Sequence, residues 1–398
     1  MNYKISFLRS KLHDNYDLDE FNKKFLDEIS LHLGEKLIPS ELSDYDCDLK
    51  LIFIESGGSE GLFLNHIKEL KEPYYLLTSG SNNSLAASLE ILTYLNLENK
   101  QGEVIHGSTT YISSRIKDLA LINKVKSKLM KTRLGCIGKP SDWLISSIPD
   151  NTKLYEKLGV NIINIDIQEL IDQFHNDLKE NYVLPEKFDF DKESLRLAEA
   201  MHLSICKIKN KYCLDGLTIR CFDLLGTCNT TSCLSFSLLN KDNTIATCEG
   251  DIMSMISMTI LKLLLNQSSF QANPSRIDIL NNEMILAHCT IPLDMVDSYK
   301  LRTHFESGIG VAIKGELKLS DITMFRISSD LKHYFVAEGK IIENLSEENL
   351  CRTQIKVKFN DSIESLLKNP CGNHHIIVYG HHKELIKKLM KSFNIVEY

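Results

Sequence analysis

Prolines are scarce in this chain, 8 among 398 residues, and no Pro-rich, Gly/Ser-rich or low-complexity tract interrupts it. That excludes long flexible linkers and reads as continuously folded protein. No run approaches the ~20 apolar residues of a membrane helix. The stretch Met1–Ser10 holds no apolar segment of secretory-leader length. The expectation is a cytoplasmic protein without membrane contact. Positive charge is not in surplus: 46 Lys and Arg stand against 53 Asp and Glu, for a net −7. No basic face for nucleic acid is implied. None of the 11 cysteines forms a C-x-x-C pair, although five fall between Cys206 and Cys233. A structural zinc knot is thereby disfavoured, and buried thiols in a reducing compartment are expected. No P-loop signature occurs, and the chain has a single tryptophan, Trp143.

What is present is an ordinary globular balance, 43% apolar and 25% charged, ample for a large core. The first part alternates extended and helical patterns. Leu49–Ile54 reads as a buried strand ending at the polar turn Glu55–Gly61. Tyr74–Leu77 is a second strand, followed by the turn Thr78–Ser84 and a helix from Leu85. Strand, glycine turn, helix is the rhythm of an open parallel sheet, whose ligands gather beyond the carboxyl ends of its strands. The rhythm restarts at Leu134–Gly138 and continues to Thr244–Cys248 and a helix from about Asp251. Beyond about 278, alternating extended segments dominate, as in an antiparallel barrel or sandwich. The expected fold is α/β: two open parallel-sheet (Rossmann- or flavodoxin-like) domains, then a β-rich barrel-like domain with a terminal helix. The expected ranges are 1–130, 131–278 and 279–398.

Glu249 stands in Cys248-Glu249-Gly250-Asp251, where a strand meets a helix with one apolar face. Asp251 suits a helix cap, whereas Glu is a poor cap, so Glu249 has the weaker structural reason to be there. Histidines cluster as Asn373-His374-His375 and His381-His382 around Ile376–Gly380, with His288 ending another apolar strand and His304 in Thr303–Gly308. In a strand, His374 and His375 face opposite sides. Three histidine motifs plus Glu249 make a mixed oxygen–nitrogen set that suits Mn²⁺ or a similar divalent ion.

These motifs carry a resemblance. Thr247–Asp251, the Met-rich helix after it and Phe270-Gln271-Ala272-Asn273 resemble the active-site stretch of L-fucose isomerases. In that family a second metal-binding Asp follows the Glu by 24 residues; that spacing falls on Asn273. Asn373–His381 is similar to the family's Asn-His-x5-Gly-His segment, whose first His binds the metal. Ala287-His288-Cys289-Thr290-Ile291 resembles a His-bearing strand of the related arabinose isomerases. The resemblance covers about 130–398. It implies a metal-dependent aldose–ketose isomerase of the L-fucose/L-arabinose isomerase superfamily acting on a small sugar through an enediol. It also implies a trimer or hexamer with sites near subunit interfaces. Glu249 and Asp251 are the expected catalytic residues, and Glu249, Asn273, His288 and His374 the expected metal ligands. Arg220, Trp143, Asn83, Glu306 and His304 are the candidate sugar contacts, with Glu306 or Asp251 to replace the missing carboxylate. Because Asn273 is neutral and cannot act as a base, two alternatives stand beside this: a different reaction on a sugar-like substrate, or a non-catalytic sugar-binding paralogue.

Overall fold

The computed structural model of the protein describes residues 1–11, 16–180, 182–184 and 186–398. The chain divides into two compact units, Met1–Lys124 and Val125–Tyr398.

In the first unit, β1 (Tyr3–Leu8), β2 (Leu37–Pro39), β3 (Leu49–Ile54), β4 (Tyr74–Thr78) and β5 (Gly102–Ile105) form a parallel sheet in the order β2-β1-β3-β4-β5. Every residue of β3 and β4 is buried. That is why these strands, Lys50 and Thr78 apart, read as apolar runs rather than alternating ones.

The second unit opens with another parallel sheet. Its strands β6 (Leu134–Ile137), β7 (Ile162–Ile165), β8 (Gly216–Ile219) and β9 (Ile245–Thr247) are ordered β7-β6-β8-β9. Strand order reverses between β6 and β8, so the turns leaving their carboxyl ends diverge and open a crevice. The turn after β9 lies one strand away.

A barrel follows, as the extended segments predict. It is built from β10 (Phe270–Asp278), β11 (Glu283–His288), β14 (Asp321–Ile327), β15 (His333–Asn344), β16 (Thr353–Phe359) and β17 (His375–Tyr379). These run β14-β17-β10-β11-β16-β15, and β15 pairs back to β14, closing the ring. A hairpin of β12 (Val296–Arg302) and β13 (Ala312–Leu317) stands apart, and β18 (Val396–Glu397) adds parallel to β15. Phe270, Met284, Leu286, Met324, Val357 and Ile377 share the barrel's core.

The helix Ile252–Leu265 joins sheet to barrel. It packs on β8 and β9 and also on β14 and β17, and eleven of its side chains are buried. A helix apolar nearly all round belongs between layers. It brings the end of β9 up to the start of β17. Among the described residues, no helix is long and apolar enough to cross a membrane.

Candidate functional site

After β9 the chain turns through two successive left-handed residues, Glu249 at φ 66° and Gly250 at φ 69°. Holding a glutamate there costs of order 1–3 kcal/mol, so the surroundings must impose it. The Ser141 amide donates to the Glu249 carbonyl and the Gly250 amide to the Ile219 carbonyl, both at 2.9 Å. A side chain at 250 would come within 2.6 Å of the Lys139 carbonyl, so only glycine fits. The turn is thus tied to the segment that follows β6 and to the last residue of β8.

The Glu249 side chain is buried. The Trp143 indole N–H donates to its Oε2 at 2.6 Å, a short charge-assisted bond. Its Oε1 lies 3.5 Å from His374 Nε2. His374, just before β17, is fully buried, with Nδ1 2.8 Å from Asp251 Oδ2. The carboxylate accepts a hydrogen bond from Nδ1–H and leaves Nε2 facing Glu249. His288, ending β11, bonds Thr290 Oγ1 through Nδ1 at 2.9 Å, and its ring centre is 5.4 Å from that of His374. Ligand atoms of Glu249, His288 and His374 all lie within 4.8 Å of one another, the one such group among the described residues.

Asp251 stands behind this group, not in it. It caps the helix Ile252–Leu265, accepting from the Ser254 amide at 2.9 Å and the Ser254 hydroxyl at 2.8 Å. Arg326 bonds both its oxygens, at 3.0 and 3.3 Å. Arg326 is itself fully buried and also donates to Cys371 O, His374 O and Ser147 Oγ. A Cβ at Gly372 would sit 2.8 Å from its guanidinium, so glycine makes the room.

Charge follows from this arrangement. Burial opposes the ionised form of Asp251, but Arg326 and His374 outweigh it and hold the carboxyl well below its usual range. Burial likewise opposes Glu249, yet His374, His288 and Trp143 bring it down to about 2. For His374, burial favours the neutral ring, but Asp251 and Glu249 on either side push it up to about 9. Burial, with His374 adding repulsion, takes His288 down to about 3. A buried anionic pair therefore attracts one positive charge, a proton or a metal, beside a neutral imidazole ready to ligate.

Of the three, Glu249 borders a cavity of about 430 Å³, lined also by Trp143, Phe222, Asn273, Glu306 and Asn373. Trp143 stands edge-on to Phe222, ring centres 4.9 Å apart. Burial and the nearby Glu249 charge raise the Glu306 carboxyl. His304 packs its ring against Phe222 at 5.6 Å and bonds Ser307 Oγ; burial and Arg352 lower its pKa. The Asn273 Oδ1 is buried without a partner, and so is His374 Nε2. In register, Asn273 lies opposite Ala287, next to His288, and Ala272 lies opposite His375, next to His374. An orphaned amide oxygen, beside a carboxylate and an imidazole nitrogen that can give up its proton, fits a bound cation.

Arg220 is held by Asp223 at 3.0 Å, by Asp142 at 2.8 and 3.2 Å and by the Pro140 carbonyl at 2.8 Å. It fastens the loop that carries Trp143. Asn83 belongs to the first unit, exposed at φ 59° before the helix Ser84–Leu97, and does not line this cavity. A larger hollow of about 1080 Å³ in that unit, bordered by Phe7, Arg9, Leu26 and Glu55, holds none of the singled-out residues.

Arg326 and Gln271 were not singled out from the sequence. A charged residue inside the strand Met324-Phe325-Arg326-Ile327 was the available signal for the first. Gln271 is two residues from Asn273 and so shares its strand face. Its Oε1 accepts the Cys248 amide at 2.8 Å, steadying the entry to the Glu249 turn.

No protein-family model matches this chain. Sulfoquinovose isomerases of Priestia aryabhattai and of Priestia megaterium (strain ATCC 12872 / QMB1551) are each 23% identical to it over 306 residues, covering 69% of this chain and 66% of theirs. The chain thus spans slightly under two thirds of the length of these relatives.

Proposed function

We propose that this protein is a metal-dependent aldose–ketose isomerase acting on a small sugar. The observation that carries the reading is the convergence of Glu249, His288 and His374 on one another, with Glu249 lining a cavity of sugar size. The similarity to sulfoquinovose isomerases supports it, as does the resemblance to the L-fucose/L-arabinose isomerase superfamily. A divalent cation held by Glu249, His288 and His374 would polarise the substrate carbonyl and gather the neighbouring oxygens. The chain's own residues do the rest. Asp251, fixed by Arg326, sets the His374 tautomer. Trp143 and Phe222 offer ring faces to the sugar's C–H surface. Glu306, its carboxyl raised, is the acid/base group that moves a proton between adjacent carbons. The protein works as a cytoplasmic homo-oligomer in this reading.

The test is interconversion of an aldose and its ketose in D₂O with added divalent ion. The expected product carries solvent deuterium at the carbon beside the carbonyl, as an enediol requires. Sugar binding without turnover would favour the alternative, a non-catalytic paralogue, for which the neutral Asn273 speaks. Failure to bind any divalent ion sinks the isomerase reading. Within it, Glu306→Gln is expected to lower kcat by about 10²-fold or more and leave metal affinity unchanged. A Glu306→Gln enzyme with wild-type kcat removes Glu306 from the chemistry.

Metal binding should depend on pH with a definite sign. Without metal, His374, raised to about 9, is protonated at neutral pH on Nε2. A cation at Nε2 must displace that proton, so affinity falls as pH falls below 9. Glu249 at about 2 and His288 at about 3 have no proton to release in this window. Between pH 8.5 and 6.5, titration should show about 100-fold weaker binding, one proton per ion. A flat profile would contradict this placement of His374.

A further inference from the structure

We infer that this site selects a nitrogen-preferring divalent ion such as Co²⁺ or Zn²⁺ over Mn²⁺ and Mg²⁺, with the Asn273 amide oxygen as a neutral fourth donor. The inference rests on the metal-site reading and narrows it. The donors available are two imidazoles, one carboxylate and one amide oxygen. His288 spends Nδ1 on Thr290 and His374 spends Nδ1 on Asp251, so each offers Nε2 alone. Asp251 contributes no charge to the ion, because Arg326 neutralises it at 3.0 Å. Glu249 is then the single anionic ligand in the group.

Hard ions such as Mg²⁺ and Mn²⁺ take their binding energy from anionic oxygen and water, whereas Co²⁺ and Zn²⁺ gain more from imidazole. A set with half its donors nitrogen and one negative charge penalises the first pair more than the second. Asn273 completes the set because its Oδ1 is buried and unpartnered and it lines the same cavity as Glu249. An acceptor left so costs of order 1–3 kcal/mol, a cost that a cation removes. The neighbouring orphan donor, Gln271 Nε2, is no substitute as ligand, since it has no lone pair to give.

The experiment uses Co²⁺ and Mn²⁺ as probes and two readouts besides activity. One is quenching of the single tryptophan, Trp143, whose N–H rests on Glu249. The other is the visible absorption of bound Co²⁺, which reports its coordination number. In the wild type, Co²⁺ is expected to bind about 100-fold more tightly than Mn²⁺ or better. Asn273→Asp, which adds a second carboxylate, is expected to tighten Mn²⁺ about tenfold or more and to narrow the ratio. Asn273→Ala, which removes the donor without adding charge, is expected to weaken Co²⁺ about tenfold and change its spectrum. A wild-type ratio near one overturns the inference, as does indifference of both ions to residue 273. If neither ion perturbs Trp143 in any of the proteins, the metal site itself falls, a result distinct from binding without selectivity.

Discussion

Glu249→Gln is expected to lower kcat/KM by about 10³–10⁴-fold, equivalent to about 4–5.5 kcal/mol of transition-state stabilisation. It is also expected to weaken divalent-ion binding about 100-fold or more, since a carboxylate ligand is lost. The variant keeps the shape of the side chain. Its amide oxygen still accepts from Trp143, and glutamine enters the left-handed turn at φ 66° no less readily than glutamate. Only the charge goes, and with it the sole anionic member of the Glu249–His288–His374 group. The His374 pKa should fall at the same time, because one of the two carboxylates that raise it has gone. Steady-state kinetics, metal titration and NMR of His374 read these outcomes together. A Glu249→Gln protein within tenfold of wild-type activity would remove Glu249 from the mechanism.

Arg326→Met is expected to destabilise the second unit by about 3–5 kcal/mol, the usual cost of leaving a buried charge without its partner. Arg326 and Asp251 are both inaccessible to water, and removing the guanidinium also strands Cys371 O and Ser147 Oγ. The sign with pH follows from Asp251, whose folded pKa is depressed. That depression stabilises the wild type at neutral pH and is lost as pH falls through the folded pKa. In the variant the Asp251 pKa moves up, so the penalty is largest at neutral pH and shrinks on acidification. The double variant Asp251→Asn with Arg326→Met should recover part of the loss, since asparagine still caps the helix Ile252–Leu265 and no charge is left alone. Urea unfolding followed by Trp143 fluorescence measures all three. A penalty below about 1 kcal/mol for Arg326→Met would show that the buried pair is not a structural anchor.

Much of the fold was legible because each layer writes its own periodicity. Leu134–Ile137, and Leu49–Ile54 but for Lys50, show no polar alternation because both faces of a parallel strand are covered. The strand–turn–helix junction at Thr247–Ile252 could be read from Gly250 and Asp251, and both do there what their chemistry suits: glycine in a left-handed turn, aspartate as cap. The ring closure of the barrel was not legible. It depends on β15 running on to Asn344 and pairing with both β14 and β16, and a strand's partners are set by tertiary register rather than local pattern.

The sequence by itself determined the two parallel sheets, the β-rich character of the part after them, and the identity of the ligand candidates Glu249, His288 and His374. Those depend on side-chain type and on periods of 2 and 3.6 residues, which the chain states locally. Only the tertiary structure decided what surrounds each residue. It withdrew Asp251 behind His374, bound by Arg326 and Ser254. It committed Arg220 to Asp142 and Asp223, and left Glu306 and Asn273 facing the cavity with Glu249. Partners separated by 75 and 123 residues along the chain meet only when sheet, helix and barrel pack. Since a charge's behaviour is set by its neighbours and its burial, the roles of these carboxylates could not be read before that packing was known.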